Sequence, residues 1–210
     1  MLKKIIFACG LAAGAASAQE WEIGAIGGYG FAPDLTVKGP AGTANTGFNN
    51  GFAIGVYGGN DTYQYWSGEA RYLYRQSDLK LSSGGTSVNF GGSSQLVTAD
   101  FLVHFRPRES KIRPFILFGG GVNVLHGTGA ESASQPLARF AALTHTSETL
   151  GVGEAGAGVK YYLSRSVGLR FEVRDYISPA PSKVIAVFPG ASISGIVNDI
   201  VATASVSYRW

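Results

Sequence analysis

The sequence has one cysteine, Cys9, close to the N-terminal end. A single cysteine excludes an internal disulfide and every cysteine-built zinc site. Charge is scarce as well: 15% of residues are Asp, Glu, Lys or Arg, against ~25% in an ordinary soluble domain. Beyond the first 18 residues no apolar stretch reaches the ~20 residues that a membrane helix needs. Yet aromatics make up 12% of the chain and glycine occurs 30 times. An uncharged, aromatic-rich chain without a membrane helix suits strands whose apolar residues are dispersed on alternate positions, as in a transmembrane β-barrel.

The front end, "MLKKIIFACGLAAGAASAQE", accounts for the cysteine. Lys3 and Lys4 precede an apolar run of ~12 residues, too short to span a bilayer, and Ala16-Ser17-Ala18 offers the small-x-small pattern of signal cleavage. Residues 1–18 therefore read as a cleavable signal peptide and 19–210 as a single barrel domain. Cys9 lies too close to Lys4 to be a lipoprotein cysteine. Maturation would remove Cys9, and with it any thiol nucleophile. Taking Lys3 and Lys4 from the 17 basic residues leaves 15 against 14 acidic ones. Without a basic run, that balance gives no reason to expect nucleic acid as a partner.

Period-two alternation recurs in eight segments. In 21–31, Trp21, Ile23, Ala25, Tyr29 and Phe31 share one face. In 51–59 the apolar face is Phe52, Ile54 and Val56. From Tyr63 onward, Trp66, Ala70, Tyr72 and Tyr74 alternate with Ser67, Glu69, Arg71 and Arg75. In 95–105, Val97, Ala99, Phe101, Val103 and Phe105 oppose Thr98, Asp100 and His104. Segment 112–124 is apolar or glycine on both faces, with Ile116, Phe118, Val122 and Val124 outward. In 150–163, Ala155, Ala157, Val159, Tyr161 and Leu163 oppose Glu154, Lys160 and Tyr162. Segment 167–174 sets Val167, Leu169, Phe171 and Val173 against Arg170, Glu172 and Arg174. The last, "DIVATASVSYRW", sets Ile200, Val206, Tyr208 and Trp210 against Ser205, Ser207 and Arg209.

The connections alternate. Those at 60–62, 106–111 and 164–166 are short; 32–50, 78–92, 125–149 and 178–198 are long. Short periplasmic turns, long outer loops and termini on the short side are the asymmetry of outer-membrane barrels. A soluble β-sandwich would alternate too, but has no reason to alternate loop length. The expectation is an all-β, transmembrane, antiparallel up-and-down barrel of eight strands, with ten as the alternative if 183–197 supplies two more. Outward aromatics form two belts: Trp21, Trp66, Phe105, Tyr161, Tyr208 and Trp210 toward the periplasm, and Tyr29, Phe31, Phe52, Tyr72 and Tyr74 outside.

The Ala-Ser-Ala signal end, "PFILFGGGVNV" at 114–124 and the terminal "SVSYRW" resemble the small eight-stranded outer-membrane barrel family of the OmpA/OmpX-like kind. The resemblance covers the mature chain. It implies a location in the Gram-negative outer membrane, with outer-membrane lipid and lipopolysaccharide around the barrel. It also implies that Val206, Tyr208 and Trp210 form the signal read by the barrel-assembly machinery.

The inward charges are Glu69, Arg71, Arg75, Asp100, His104, Glu154, Lys160, Arg170, Glu172, Arg174 and Arg209. An eight-stranded lumen is narrow enough for side chains to fill, and buried charges must pair. Across the tight turn at 164–166, Glu154 should approach Arg174 or Tyr176, and Lys160 should lie diagonal to Glu172. A salt-bridged plug is one outcome; a narrow ion pathway is the other. Asp100 and His104 lie ~13 Å apart along a strand, too far to form a dyad.

One constellation suggests catalysis. In a strand, His145 and Ser147 would share a face, so the imidazole could activate the hydroxyl. Outer-membrane lipid A deacylases resemble this arrangement, with Glu154 as the candidate orienting acid, although Glu148 replaces the Asn that usually follows their Ser. "GVGEAG" at 151–156 matches G-x-G-x-x-G without the strand–turn–helix setting that cradles phosphate. No cofactor or metal is implied.

Two loops remain. In 125–149, Ser134 as cap and Pro136 in the first turn predict a short helix. In 178–198, apolar runs around Pro189-Gly190 predict a surface hairpin that contacts lipid, a partner or another copy. The reading is a non-enzymatic barrel serving envelope structure or surface interaction through its outer loops, with permeation or lipid A deacylation as alternatives.

Overall fold

The computed structural model describes residues 20–130 and 135–210. The expected signal at 1–18, with Cys9, and the expected helix cap Ser134 lie outside them.

Eight long strands close into one antiparallel barrel. They are β1 (Glu20–Phe31), β4 (Gly51–Asp61), β5 (Trp66–Gln76), β8 (Gly92–His104), β9 (Ile112–Gly127), β11 (Ser147–Tyr162), β12 (Val167–Pro179) and β15 (Ile196–Arg209). Each pairs with its sequence neighbours in the barrel, and β1 closes the ring against both β4 and β15. At the seam Ala25 faces Val206 and Ile23 faces Tyr208. Trp21 and Trp210 exchange two main-chain bonds, 3.2 and 3.1 Å long. A strand edge in hydrocarbon would leave its amides unbonded, and closure removes that edge.

Alternation decides which side chains meet lipid. Ile54, Phe101, Phe118, Phe171 and Val206 are exposed on the outer wall, while Glu69, Arg71, Arg170 and Arg174 are buried inside. The belts stand at the two ends of this wall, with ring pairs Tyr208–Trp210 at 6.0 Å and Tyr29–Phe31 at 5.2 Å.

The seven remaining strands belong to the four long connections: β2 (Leu35–Gly39), β3 (Gly42–Phe48), β6 (Leu79–Ser83), β7 (Thr86–Phe90), β10 (Ala141–Leu143), β13 (Ile185–Val187) and β14 (Ser192–Ser194). They form a five-stranded sheet ordered β14-β2-β3-β6-β7 and a separate pair, β10-β13. The β6–β7 hairpin turns at Gly84-Gly85, whose φ values of 57° and 82° are comfortable for glycine alone. Beneath these strands lies a second apolar core that includes Leu35, Val37, Phe48, Leu79, Leu81, Leu137, Phe140, Leu143, Val184 and Ile185. The outer loops are thus one folded cap.

Two expectations for the loops are corrected. Residues 136–140 form turns rather than a helix, with Ala138 N bonding Gln135 O and Phe140 N bonding Leu137 O. The Gln135 amide bonds both the carbonyl and the N–H of Leu143 at 2.8 and 2.9 Å, folding the segment back into β10 before a helix can extend. The 183–197 stretch is neither an exposed hairpin nor two further barrel strands. Its strands pair with different partners: β13 with β10 and β14 with β2. Its apolar residues Val184 and Ile185 are fully buried, because the cap core offers them a drier place than water or lipid headgroups.

Candidate functional site: the filled lumen and its outer cap

The lumen is packed from one end to the other. Its centre is Arg174, which contacts Asp100 at 2.5 Å, Glu154 at 2.8 Å, Glu69 at 2.9 Å and Glu172 at 3.2 Å. Arg170 bonds Glu172 at 2.5 Å and also Glu69. Its guanidinium lies 4.8 Å from the Tyr57 ring centre and 4.7 Å from that of Phe115. Arg71 bonds Glu69 at 3.1 Å and pairs with Glu172. Thr203 donates its hydroxyl to Glu172 at 3.1 Å. Three arginines and four carboxylates are in direct contact where water is excluded, and such pairing is what lets charge be buried, although Arg71 Nη1, Asp100 Oδ1 and Glu154 Oε1 have no hydrogen-bond partner among the described residues.

Smaller groups extend the plug both ways. Toward the periplasm, Lys160 donates to Glu22 at 2.5 Å and the Tyr57 hydroxyl donates to the same carboxylate at 2.8 Å. Below them Arg113 pairs with Asp61, and Ser67 Oγ lies 2.6 Å from His104 Nε2. Toward the outside, Arg75 pairs with Asp199 and donates to Asn49 O at 3.3 Å, tying the plug to the cap. At that junction the enclosed space is a cavity of about 10 Å³ bounded by Phe48, Arg75, Ser94, Asn123, Tyr176 and Asp199. That is room for about one water.

Glycine on the inner wall makes the filling possible. A Cβ on Gly24 would stand 2.3 Å from the Tyr57 ring, and one on Gly158 would stand 2.6 Å from the Phe115 ring. These two rings are the ones that flank Arg170. In the 151–156 stretch, by contrast, Gly151 and Gly153 face outward into open space and only Gly156 abuts the plug, against Arg174.

The structure places the sequence-derived residues as follows. Glu69, Arg71, Asp100, Glu154, Arg170, Glu172 and Arg174 meet in the central cluster. Lys160 turns to Glu22 across the lumen rather than to Glu172, and its register partner on β12 is Arg170. Arg209 stands apart at the periplasmic rim, where it bonds Glu20 at 2.9 Å and the carbonyls of Arg165 and Arg108. Val206, Tyr208 and Trp210 face outward along the seam.

The structure does not bring Glu154 to the His145–Ser147 segment. His145 occupies a bend, not a strand, so the shared-face argument does not apply, and its Nδ1 lies 3.0 Å from Gly129 O. Ser147 is exposed opposite His126. Glu154 is seven residues further down β11, roughly 23 Å at ~3.3 Å per residue, and is engaged with Arg174. Glu148 has a different task. It accepts bonds from the amides of Ser182, Lys183 and Val184 at 2.7–3.3 Å and from the Ser182 hydroxyl at 3.0 Å. Its register partner Leu125 belongs to the cap core, so Glu148 stands above the lipid-facing wall. Burial alone would raise its carboxyl pKa, but the three amides and the hydroxyl outweigh that and hold it below the usual value.

Glu22, Tyr57, Asp61, Arg113, Phe115 and Asp199 belong to the plug and were absent from the charge network read from the sequence. Strand parity could have found them. With Phe52, Ile54 and Val56 outward, Tyr57 and Asp61 must point inward, and the same count from Ile116 places Arg113 and Phe115 inside.

A closed eight-stranded barrel with an apolar outer wall, two aromatic belts and a charged interior is an integral β-barrel membrane protein. The chain belongs to the outer membrane protein beta-barrel domain family, which matches residues 5–209. It is therefore a small protein of the outer membrane. Among solved structures it is similar to a major outer membrane protein from Thermus thermophilus, at 16% identity, 92% of this chain, 100% of that chain and a TM-score of 0.55. It is also similar to Neisserial surface protein A, at 14% identity, 91% and 97% coverage and a TM-score of 0.50. At these identities the likeness is one of fold. No curated protein matches the sequence.

Proposed function

We propose that this protein is a non-conducting, non-enzymatic barrel that anchors a rigid outer cap for envelope structure or surface interaction. The observation that carries this reading is the continuous filling of the lumen beneath one folded cap. Arg170, Arg174, Glu69 and Glu172 have side chains no more than 2% exposed, and the cap above them has its own apolar core. An ion would have to separate paired charges in a dry interior, which is costly. A lipid-modifying site would need His145, Ser147 and an acid within hydrogen-bond reach, and the acid named for that role is committed to Arg174. The cap's outer tip is polar and uncharged, with Asn45, Ser82, Ser83, Thr86 and Ser87 bordering a shallow groove of about 360 Å³. Such a surface suits contact with another hydrophilic surface better than insertion into lipid.

The test is single-channel recording in planar bilayers, paired with mass spectrometry of lipid A from expressing cells. Baseline current and an unchanged acyl pattern are expected. Discrete openings altered by Arg174→Ala, or loss of an acyl chain that depends on Ser147, would overturn the reading.

A further inference from the structure

The short-turn end of the barrel carries a concentration of positive charge. Arg106, Arg108 and Lys111 lie on or beside the turn between β8 and β9, Arg165 lies on the turn between β11 and β12, and Arg209 is the last residue of β15. Besides the buried Arg113–Asp61 pair, two carboxylates accompany them. Glu20 is held by Arg209 at 2.9 Å, and Glu109 lies 3.4 Å from Arg108. Arg209 gathers the turns into one surface: it donates to Arg165 O at 3.2 Å and to Arg108 O at 3.4 Å, and it lies 4.2 Å over the Tyr162 ring. Tyr162 N in turn bonds Lys111 O at 2.9 Å.

Arg106, Lys111 and Arg165 are exposed, and among the described residues none of them forms an ion pair with a carboxylate. Lys111 lies 5.3 Å from the Tyr161 ring centre. Next to these cations the lipid-facing wall presents Phe105, Ile112 and Leu163, all well exposed. Positive groups that ring an apolar wall at the level of the aromatic belt match a molecule with a negative head and hydrocarbon tails. At the cap end Lys80 pairs with Asp34 at 2.5 Å, and the exposed Lys38, Arg139 and Lys183 lie on the cap strands and loops rather than beside the lipid-facing wall.

We propose that this rim binds anionic phospholipid of the periplasmic leaflet. The headgroup phosphate sits against Arg106, Lys111 and Arg165, and the acyl chains lie along Phe105, Ile112 and Leu163. The inference does not depend on whether the lumen conducts or what the cap contacts.

The full barrel, reconstituted in phosphatidylcholine vesicles with trace spin-labelled phosphatidylglycerol or phosphatidylcholine, tests it. The motionally restricted fraction should favour phosphatidylglycerol by about fivefold, the scale of one basic residue facing an anionic surface. The preference should shrink in 1 M salt, where the screening length falls to about 3 Å. Arg106→Gln/Lys111→Gln/Arg165→Gln should abolish it. Arg106→Lys/Arg165→Lys keeps the charge and should retain it, as should the cap variant Lys38→Gln/Arg139→Gln/Lys183→Gln. No preference in the unaltered protein, a preference that survives the rim triple change, or one lost in the cap variant would each overturn the proposal.

Discussion

Arg174 shows what a single residue does inside a narrow barrel. It touches four carboxylates, each of which also needs a cation or a donor. Removing one partner from a buried charge network typically costs about 3–5 kcal/mol, because the remaining charges stay desolvated. Arg174→Ala is expected to lower unfolding stability by that amount in a urea titration of the refolded barrel. A loss below about 1 kcal/mol would mean that Arg71 and Arg170 satisfy the carboxylates alone. Gly24 is the complementary case, a residue defined by what it lacks. Gly24→Ala puts a carbon 2.3 Å from a ring atom of Tyr57 and should cost about 1–3 kcal/mol through overpacking. Glycine-to-alanine in an open strand position such as Gly153, which has nothing within 4 Å, should be neutral or stabilising in the same titration.

Among the elements, the cap strands depend on one carboxylate. Glu148 holds the 182–184 segment by its backbone, and that segment leads into β13. Its lowered folded-state pKa fixes the sign of the pH dependence. The stabilisation is fully present above the ordinary glutamate value of about 4.3. It is lost as the pH falls from there through the folded value. Hydrogen exchange at Lys183 and Val184 should therefore accelerate below about pH 4 while the barrel strands stay protected. Glu148→Ala should produce the same exposure at neutral pH, at about 1–3 kcal/mol for a buried donor left without an acceptor. Unaltered protection in that variant would show that the β10–β13 pairing suffices without the carboxylate.

Over the whole molecule, closure is the organising fact. Every barrel strand has two neighbours, and the β1–β15 seam joins chain segments some 180 residues apart in sequence. Such a barrel should resist detergent until heated, so that boiled and unboiled samples migrate differently on gels. Identical migration, or recovery in the soluble periplasmic fraction, would contradict a membrane barrel. Deleting Trp210 removes both main-chain bonds to Trp21 and one belt aromatic. The folded fraction in vesicles should fall measurably while the heat shift of the folded remainder persists.

Much of this was legible in the sequence because a strand's side chains obey a period of two. Phe171 and Val173 against Arg170, Glu172 and Arg174 could be sorted by parity alone, and eight such runs joined by alternately long and short connections imply a closed barrel. That rule is local, so it needs no knowledge of which strands meet. Pairing across the lumen is not local. Lys160 meets Glu22, 138 positions away, because curvature brings β1 opposite β11 inside the barrel, which no spacing rule records. The loops were harder still. Their strands are only three to seven residues long, too short for alternation to stand out, and their apolar residues find partners in other loops, as Val184 and Ile185 do in a core shared with Leu35 and Phe140. The sequence by itself determined which face of each strand meets lipid, since the period of the backbone settles that strand by strand. Only the tertiary structure decided how the lumen charges pair and that four loops become one cap, since both depend on the three-dimensional meeting of residues far apart in the chain.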